Sequence, residues 1–174
     1  LYRVFGQQPQ IWSMALYFLA ISTMVVGNLF ALRQKNMKRF LAFSSITQAG
    51  FMILGFMTGE TLGMSTIVYF MLIYGFSNLA VFGVLSIVVN NTGKESIDDL
   101  NGFYSTNPGL SLIMLVSLFS LAGIPPVAGF FGKFFLFTAA ASSGMYILVL
   151  IAVINATISL YYYLLVVKAM FINK

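Results

Sequence analysis

The residues that could carry chemistry in this sequence are few. Histidine and cysteine are absent, which removes thiol catalysis, disulfides, histidine-ligated haem, iron–sulfur clusters and most zinc sites. The acidic complement is Glu60, Glu95, Asp98 and Asp99, all in expected connections, so neither a hard-metal cage nor any redox centre is expected in this chain. One basic residue stands apart. Lys133 lies inside a long apolar region, eleven residues before Gly144, which is about 16 Å along a helix and roughly half the ~30 Å hydrocarbon thickness of a bilayer. A charged lysine facing lipid at that depth costs about 2.5–3.5 kcal/mol, and snorkelling reaches only a short way. Such a lysine belongs against protein interior, with water or polar partners. Withdrawn from bulk water it is less committed to its charged form and can gain and lose a proton, which makes it a candidate proton relay. The competing reading, that Lys133 snorkels or that its helix is displaced, stays open on these grounds.

The sequence before Lys133 is broken. Pro125 and Pro126 cannot donate two consecutive backbone hydrogen bonds, and Gly123, Gly129 and Gly132 add freedom and close packing. A helix interrupted inside the membrane must line a cavity or bury its free backbone groups, a device used at transporter ion sites; a simple proline kink is the alternative. Other polar residues fall at comparable depth: Gln48 with Ser44 one turn before it and Ser45 alongside, Asn78 one turn after Tyr74, and Asn155 followed at helical spacing by Ser159 and Tyr163. They are candidates for a hydrated polar layer around Lys133. Each could instead make a single interhelical hydrogen bond, worth about 0.6 kcal/mol on average. Asp98 and Asp99 read as a solvated or capping cluster, and Tyr161–Tyr163 as aromatic packing.

The elements that must hold these residues follow from composition. Of 174 residues, 60% are hydrophobic and 7% charged, against roughly 25% charged in a soluble domain, so the solvent for most of the surface is the lipid bilayer. The expected fold class is an all-α membrane protein, a single transmembrane helical domain over residues 1–174. Its spans are expected at about 11–32, 40–57, 64–89, 110–141 (broken near 124–126) and 145–171. Gly59-Glu60, the possible cap Thr61, Asn90–Gly93, Asn107-Pro108-Gly109 and Ser142–Gly144 mark the connections. Arg33, Lys35, Lys38 and Arg39 place the first connection on the cytoplasmic or equivalent side. Alternation adds Lys94, Lys168 and Lys174 there and leaves Arg3 opposite. The net charge of +5 is therefore an orientation signal and not one for nucleic acid. A start at Leu1 without a signal-peptide pattern suggests part of a longer chain.

Several runs resemble a known family. Gly27-Asn28-Leu29 followed by Lys38-Arg39-Phe40-Leu41-Ala42-Phe43-Ser44-Ser45-Ile46, Asp99-Leu100-Asn101-Gly102, and the run Ser120–Phe134 through both prolines to Lys133 are similar to the antiporter-like membrane subunits. These are the proton-pumping subunits of respiratory NADH:quinone oxidoreductase (complex I) and the related cation/proton antiporters. Ile158-Ser159-Leu160-Tyr161-Tyr162-Tyr163-Leu164 is similar to a tyrosine run in one subunit type of the respiratory enzyme. The resemblance implies a fold of about fourteen helices with two inverted five-helix bundles, of which this chain would hold the second. It implies proton translocation through Lys133, with Gln48, Asn78, Asn155, Tyr74, Ser44 and Tyr163 holding water chains. NADH, FMN, iron–sulfur clusters and quinone would reside in partner subunits of a hetero-oligomer. The membrane implied is the bacterial plasma membrane or the mitochondrial inner membrane. Many relatives carry histidine where this chain has Gln48, a side chain that orients water but cannot take a charge. A sodium/proton antiporter subunit without a redox partner is the alternative the resemblance leaves.

Overall fold

A computed structural model describes residues 9–58 and 61–173, with backbone alone for 9–11 and 61–62. The expectations placed on Arg3, Gly59-Glu60, Lys174 and the Thr61 side chain lie outside the described residues. The described chain is helical: α1 (Pro9–Leu32), α2 (Met37–Met57), α3 (Thr61–Thr92), a 3-10 turn (Asp98–Leu100), α4 (Phe103–Thr106), α5 (Pro108–Ala122), α6 (Ala128–Ser142) and α7 (Tyr146–Phe171). α1, α2, α3 and α7 are long and apolar enough to cross a membrane; α5 and α6 are shorter apolar helices. Each of those two has 15 residues, about 22 Å, shorter than a ~30 Å hydrocarbon layer.

The helix bounds differ from the sequence expectation where polar residues start a helix. α2 begins at Met37 because Asn36 caps it, its side-chain oxygen accepting from the Arg39 amide. The basic turn Met37–Arg39 is thus helical, although its apolar run begins only at Phe40. α3 continues to Thr92, and its 32 residues, about 48 Å, exceed a ~30 Å hydrocarbon layer.

One end of the bundle gathers the basic residues. The first connection and the 93–107 connection pair there: the Met37 amide donates to the Glu95 carbonyl and the Ile97 amide to the Lys35 carbonyl, both at 2.8 Å. Lys38 forms an ion pair with Glu95, and Asn36 Nδ2 donates to the same carboxylate at 2.9 Å. The Lys38 hydrogen bond, then that of Asn36, holds the Glu95 carboxyl below the usual range. The end of α7 joins them, the Gly102 amide donating to the Ala169 carbonyl. Asp99 caps locally, accepting from the Ser96 amide at 3.0 Å. Arg33, Lys35, Lys38, Arg39, Lys94 and Lys168 therefore share one end. At the far end Ser143 Oγ donates to the Thr58 carbonyl at 3.4 Å.

Two apolar clusters fill the bundle, one toward each end. Phe40, Leu41, Leu85, Met114, Leu118 and Val166 lie in the basic half. Phe51, Leu54, Ile67, Phe70, Leu136 and Ala140 lie in the far half. The polar site sits between them.

Candidate functional site

Two prolines determine the geometry of the site. In a continuous helix the amides of residues 125 and 126 would bond the carbonyls of Leu121 and Ala122, but Pro125 and Pro126 have no amide hydrogen. α5 ends at Ala122, and Gly123 follows at φ 83°, a left-handed position that suits glycine. The amides of Gly123 and Ile124 turn back onto the Phe119 and Ser120 carbonyls. The carbonyls of Leu121 and Ala122 are left for other donors. Lys133, about one and a half turns into α6, satisfies both: Nζ donates to Leu121 O at 2.8 Å and to Ala122 O at 3.0 Å.

This placement explains how a lysine is held at such depth. Its ammonium sits at the C-terminal, negative end of the α5 dipole. The Phe51 ring centroid lies 5.2 Å from Nζ, within cation–π range. Lys133 is 5% exposed. Gly129 allows α6 to cross α5 closely enough for the contact, since a Cβ at that position would lie 1.9 Å from the Ser120 carbonyl oxygen.

Gln48, on α2, donates from Nε2 to the same Leu121 carbonyl at 3.2 Å. Three elements therefore converge on one oxygen. Beside it a cavity of about 10 Å³ is lined by Gln48, Tyr74, Ser77, Ser120, Gly129 and Lys133, about the space a single water needs. On its wall Ser77 Oγ donates to Ser120 Oγ at 2.7 Å, tying α3 to α5. A lysine, two backbone acceptors, an amide and hydroxyls around a water-sized space can hold a proton and pass it to water.

The residues singled out from sequence divide into groups. Gln48 and Tyr74 adjoin Lys133. Tyr163 is buried, with Ser44, Gln48, Tyr74 and Tyr162 around it, yet its hydroxyl lies in hydrogen-bond geometry with none of them. Ser44 turns back onto the Leu41 carbonyl at 2.8 Å. Asn155 belongs to a different cluster: Asn28 Nδ2 donates to its side-chain and backbone oxygens, both at 2.8 Å, and Asn28 Oδ1 accepts from Thr47 at 3.2 Å and Tyr162 at 2.9 Å. Asn78 is half-buried and does not line the cavity; its neighbour Ser77 does. A 100° step per residue separates the two faces, and the Ser77–Ser120 contact selects the one turned inward. Ser77, Ser120, Thr47 and Asn28 were not singled out as site residues. Asn28 carried a usable signal, an amide inside an apolar span; the serines carried none beyond their own polarity.

Comparison with known proteins adds the family. The profile of the family described as "NADH:quinone oxidoreductase/Mrp antiporter, TM" matches residues 2–159. NADH-quinone oxidoreductase subunit N of Azobacteroides pseudotrichonymphae genomovar. CFP2 is 55% identical over 175 residues, covering 100% of this chain and 36% of that protein. A chain of respiratory complex I from Thermus thermophilus with bound aureothin superposes with a TM-score of 0.81 at 37% identity, covering 92% of this chain and 36% of that one. A chain of the Mrp complex from Dietzia sp. DQ12-45-1b superposes with a TM-score of 0.91 at 24% identity, covering 98% of this chain and 32% of that one, a likeness of fold alone. The chain spans about a third of the length of these relatives.

Proposed function

Because the chain belongs to the NADH:quinone oxidoreductase/Mrp antiporter transmembrane family, we propose that it works in the membrane part of an NADH:quinone oxidoreductase, translocating protons while partner subunits carry out electron transfer. The observation that carries this reading is Lys133 Nζ held by the Leu121 and Ala122 carbonyls beside a water-sized cavity. A proton leaves Nζ for water in that cavity, and net translocation requires Nζ to be reprotonated from a different side than the one that receives the proton. Gln48 keeps its bond to Leu121 O in both states and so holds the acceptor in place. Tyr74 lines that cavity, whereas Ser44 and Tyr163 lie beside Gln48 outside its lining. Asn155 contributes through the Asn28 cluster, and Asn78 has no part in the cavity.

NADH, FMN, iron–sulfur clusters and quinone belong in this proposal to the partner subunits, and the other membrane subunits are its neighbours in the bilayer. The membrane proposed is the bacterial plasma membrane. The antiporter alternative has a likeness of fold in its favour, whereas the redox reading has a relative at 55% identity. Copurification with flavin and iron–sulfur proteins supports the redox reading; sodium-dependent transport without them supports the antiporter.

The decisive test is Lys133→Ala in the assembled complex in liposomes. Electron transfer is expected to continue while proton pumping is lost. Normal pumping by the variant would overturn the proposal. Lys133→Glu, which keeps a titratable group near the cavity, is the companion variant and is expected to retain part of the pumping.

A further inference from the structure

A cavity of about 110 Å³ opens at the basic end of the bundle, between the first turn of α2 and the last three turns of α3. Lys38 lines it from α2, and Phe82, Leu85, Ser86, Val89 and Asn90 line it from α3. Offsets of three, four, seven and eight residues put those five on one helix face. The cavity shares no lining residue with the space beside Lys133. Its depth follows from the length of α3. The 32 residues of that helix rise about 48 Å, about 18 Å more than the hydrocarbon layer. Shared between the two ends, the surplus leaves about 9 Å, or roughly six residues, in the headgroup layer at the basic end. Ser86 then falls at the boundary, Asn90 one turn outside it and Phe82 one turn inside. The cavity straddles the boundary, polar outward and aromatic inward. Phe82 is 39% exposed, and Leu79, 73% exposed, carries the apolar surface a turn deeper.

The polar part of the lining offers donors. Ser86 and Asn90 are exposed, and among the described residues their side chains make no hydrogen bond. The Lys38 ammonium carries three protons, of which the Glu95 carboxylate takes one. No lining residue is acidic. Among the described residues, the six cations Arg33, Lys35, Lys38, Arg39, Lys94 and Lys168 face three carboxylates at this end, Glu95, Asp98 and Asp99. A hydroxyl, a carboxamide and an ammonium above an apolar floor suit a molecule that is anionic at one end and hydrocarbon at the other. A free anion would use the rim alone and an uncharged chain the floor alone. Basic pockets between membrane helices on the positively charged side are sites where anionic lipid headgroups bind.

We propose that this cavity binds one anionic phospholipid from the leaflet on the basic side, its phosphodiester held by Lys38, Ser86 and Asn90 and an acyl chain lying along Phe82 and Leu79. The lipid bridges the start of α2 to the end of α3. The site stands whether or not Lys133 relays a proton, since the two share no residue.

The test is photolabelling of the assembled complex in phosphatidylcholine liposomes that contain a small fraction of phosphatidylglycerol with a diazirine on its acyl chain. Peptide mass spectrometry maps the adducts. Labelling of residues 79–90 is expected to exceed, several-fold, that from a phosphatidylcholine analogue with the same diazirine. Ser86→Leu combined with Asn90→Leu removes two of the three donors at exposed positions. It is expected to bring phosphatidylglycerol labelling there down to the phosphatidylcholine level, with labelling around the outward-facing Tyr161 unchanged. Where the double variant does not assemble, Asn90→Leu alone is read by the same criteria. Added inorganic phosphate is expected to leave the labelling as it was. Equal labelling by the two analogues would overturn the proposal, as would labelling indifferent to the substitutions. Displacement by phosphate would show a site for a free anion and reject the lipid. No adduct on residues 79–90 would show that another protein segment covers this face, and would reject it too.

Discussion

Replacing Lys133 by methionine separates what the lysine does for the fold from what it does for proton movement. Methionine has nearly the same length and fills the same slot against Gly123, where a Cβ would already come within 3.0 Å of the Lys133 stem. The substitution removes two charge-assisted hydrogen bonds to Leu121 and Ala122. Leu121 O keeps the Gln48 amide, so one carbonyl, that of Ala122, loses its side-chain donor, at a cost of about 1–3 kcal/mol. Against this, the penalty of holding a charged lysine at depth disappears, about 2.5–3.5 kcal/mol on insertion scales. The two terms nearly cancel, as they do when a buried ionic group is replaced by an apolar side chain of similar volume. The expected result is a complex that assembles, with a stability change within about 2 kcal/mol of zero and no pumping. Thermal unfolding of the purified complex and dye-monitored pumping in liposomes measure the two quantities. A complex that falls apart would show that the lysine mainly pins α6 to α5 and that the energetic argument is wrong. Full pumping by an intact Lys133→Met complex would refute the relay.

Three other outcomes follow from the same geometry. Gly129→Ala drives a methyl group to 1.9 Å from the Ser120 carbonyl oxygen, and since that atom is backbone the helices must separate; a loss of about 3 kcal/mol or more is expected, read as reduced assembly and a lower melting temperature. Asn28→Ala leaves Thr47, Tyr162 and Asn155 without their shared partner and is expected to destabilise by about 2–4 kcal/mol, whereas the exposed Thr157→Ala is expected to stay near zero in the same melting experiment. The Glu95 carboxyl is held below its ordinary value of 4.5 by Lys38 and Asn36. Its contribution is therefore fully present above the unfolded value and lost as pH falls through the lower folded value. Parent and Glu95→Gln should differ slightly at neutral pH and converge in acid; a gap that widens in acid would contradict the sign.

The apolar, membrane-type character, the approximate positions of the helices, the break at Pro125-Pro126 and the place of Lys133 inside an apolar run could all be read from residue order, because each depends on composition or spacing along one chain. The basic end was legible for the same reason. The partners of Lys133 needed more. Pro125 and Pro126 announce two carbonyls without amides, but which side chain would reach them depends on α6 turning back onto α5 at Gly129. Asn78 and Ser77 are neighbours in sequence and differ only in the face that α3 presents, which its packing against α5 decides. Asn155 looked equivalent to Gln48 by depth, yet Asn28 on a helix distant in sequence claims it.

The sequence by itself determined that a lysine falls within an apolar region eight residues after Pro125, a placement that favours burial against protein because lipid disfavours free charge and proline removes the backbone bond. Only the tertiary structure decided that the two facts are one, with the carbonyls freed by the prolines becoming the acceptors of the lysine. Side-chain contacts between helices depend on rotation and crossing, and these are set by packing across the whole bundle, not by the order of residues in any one segment.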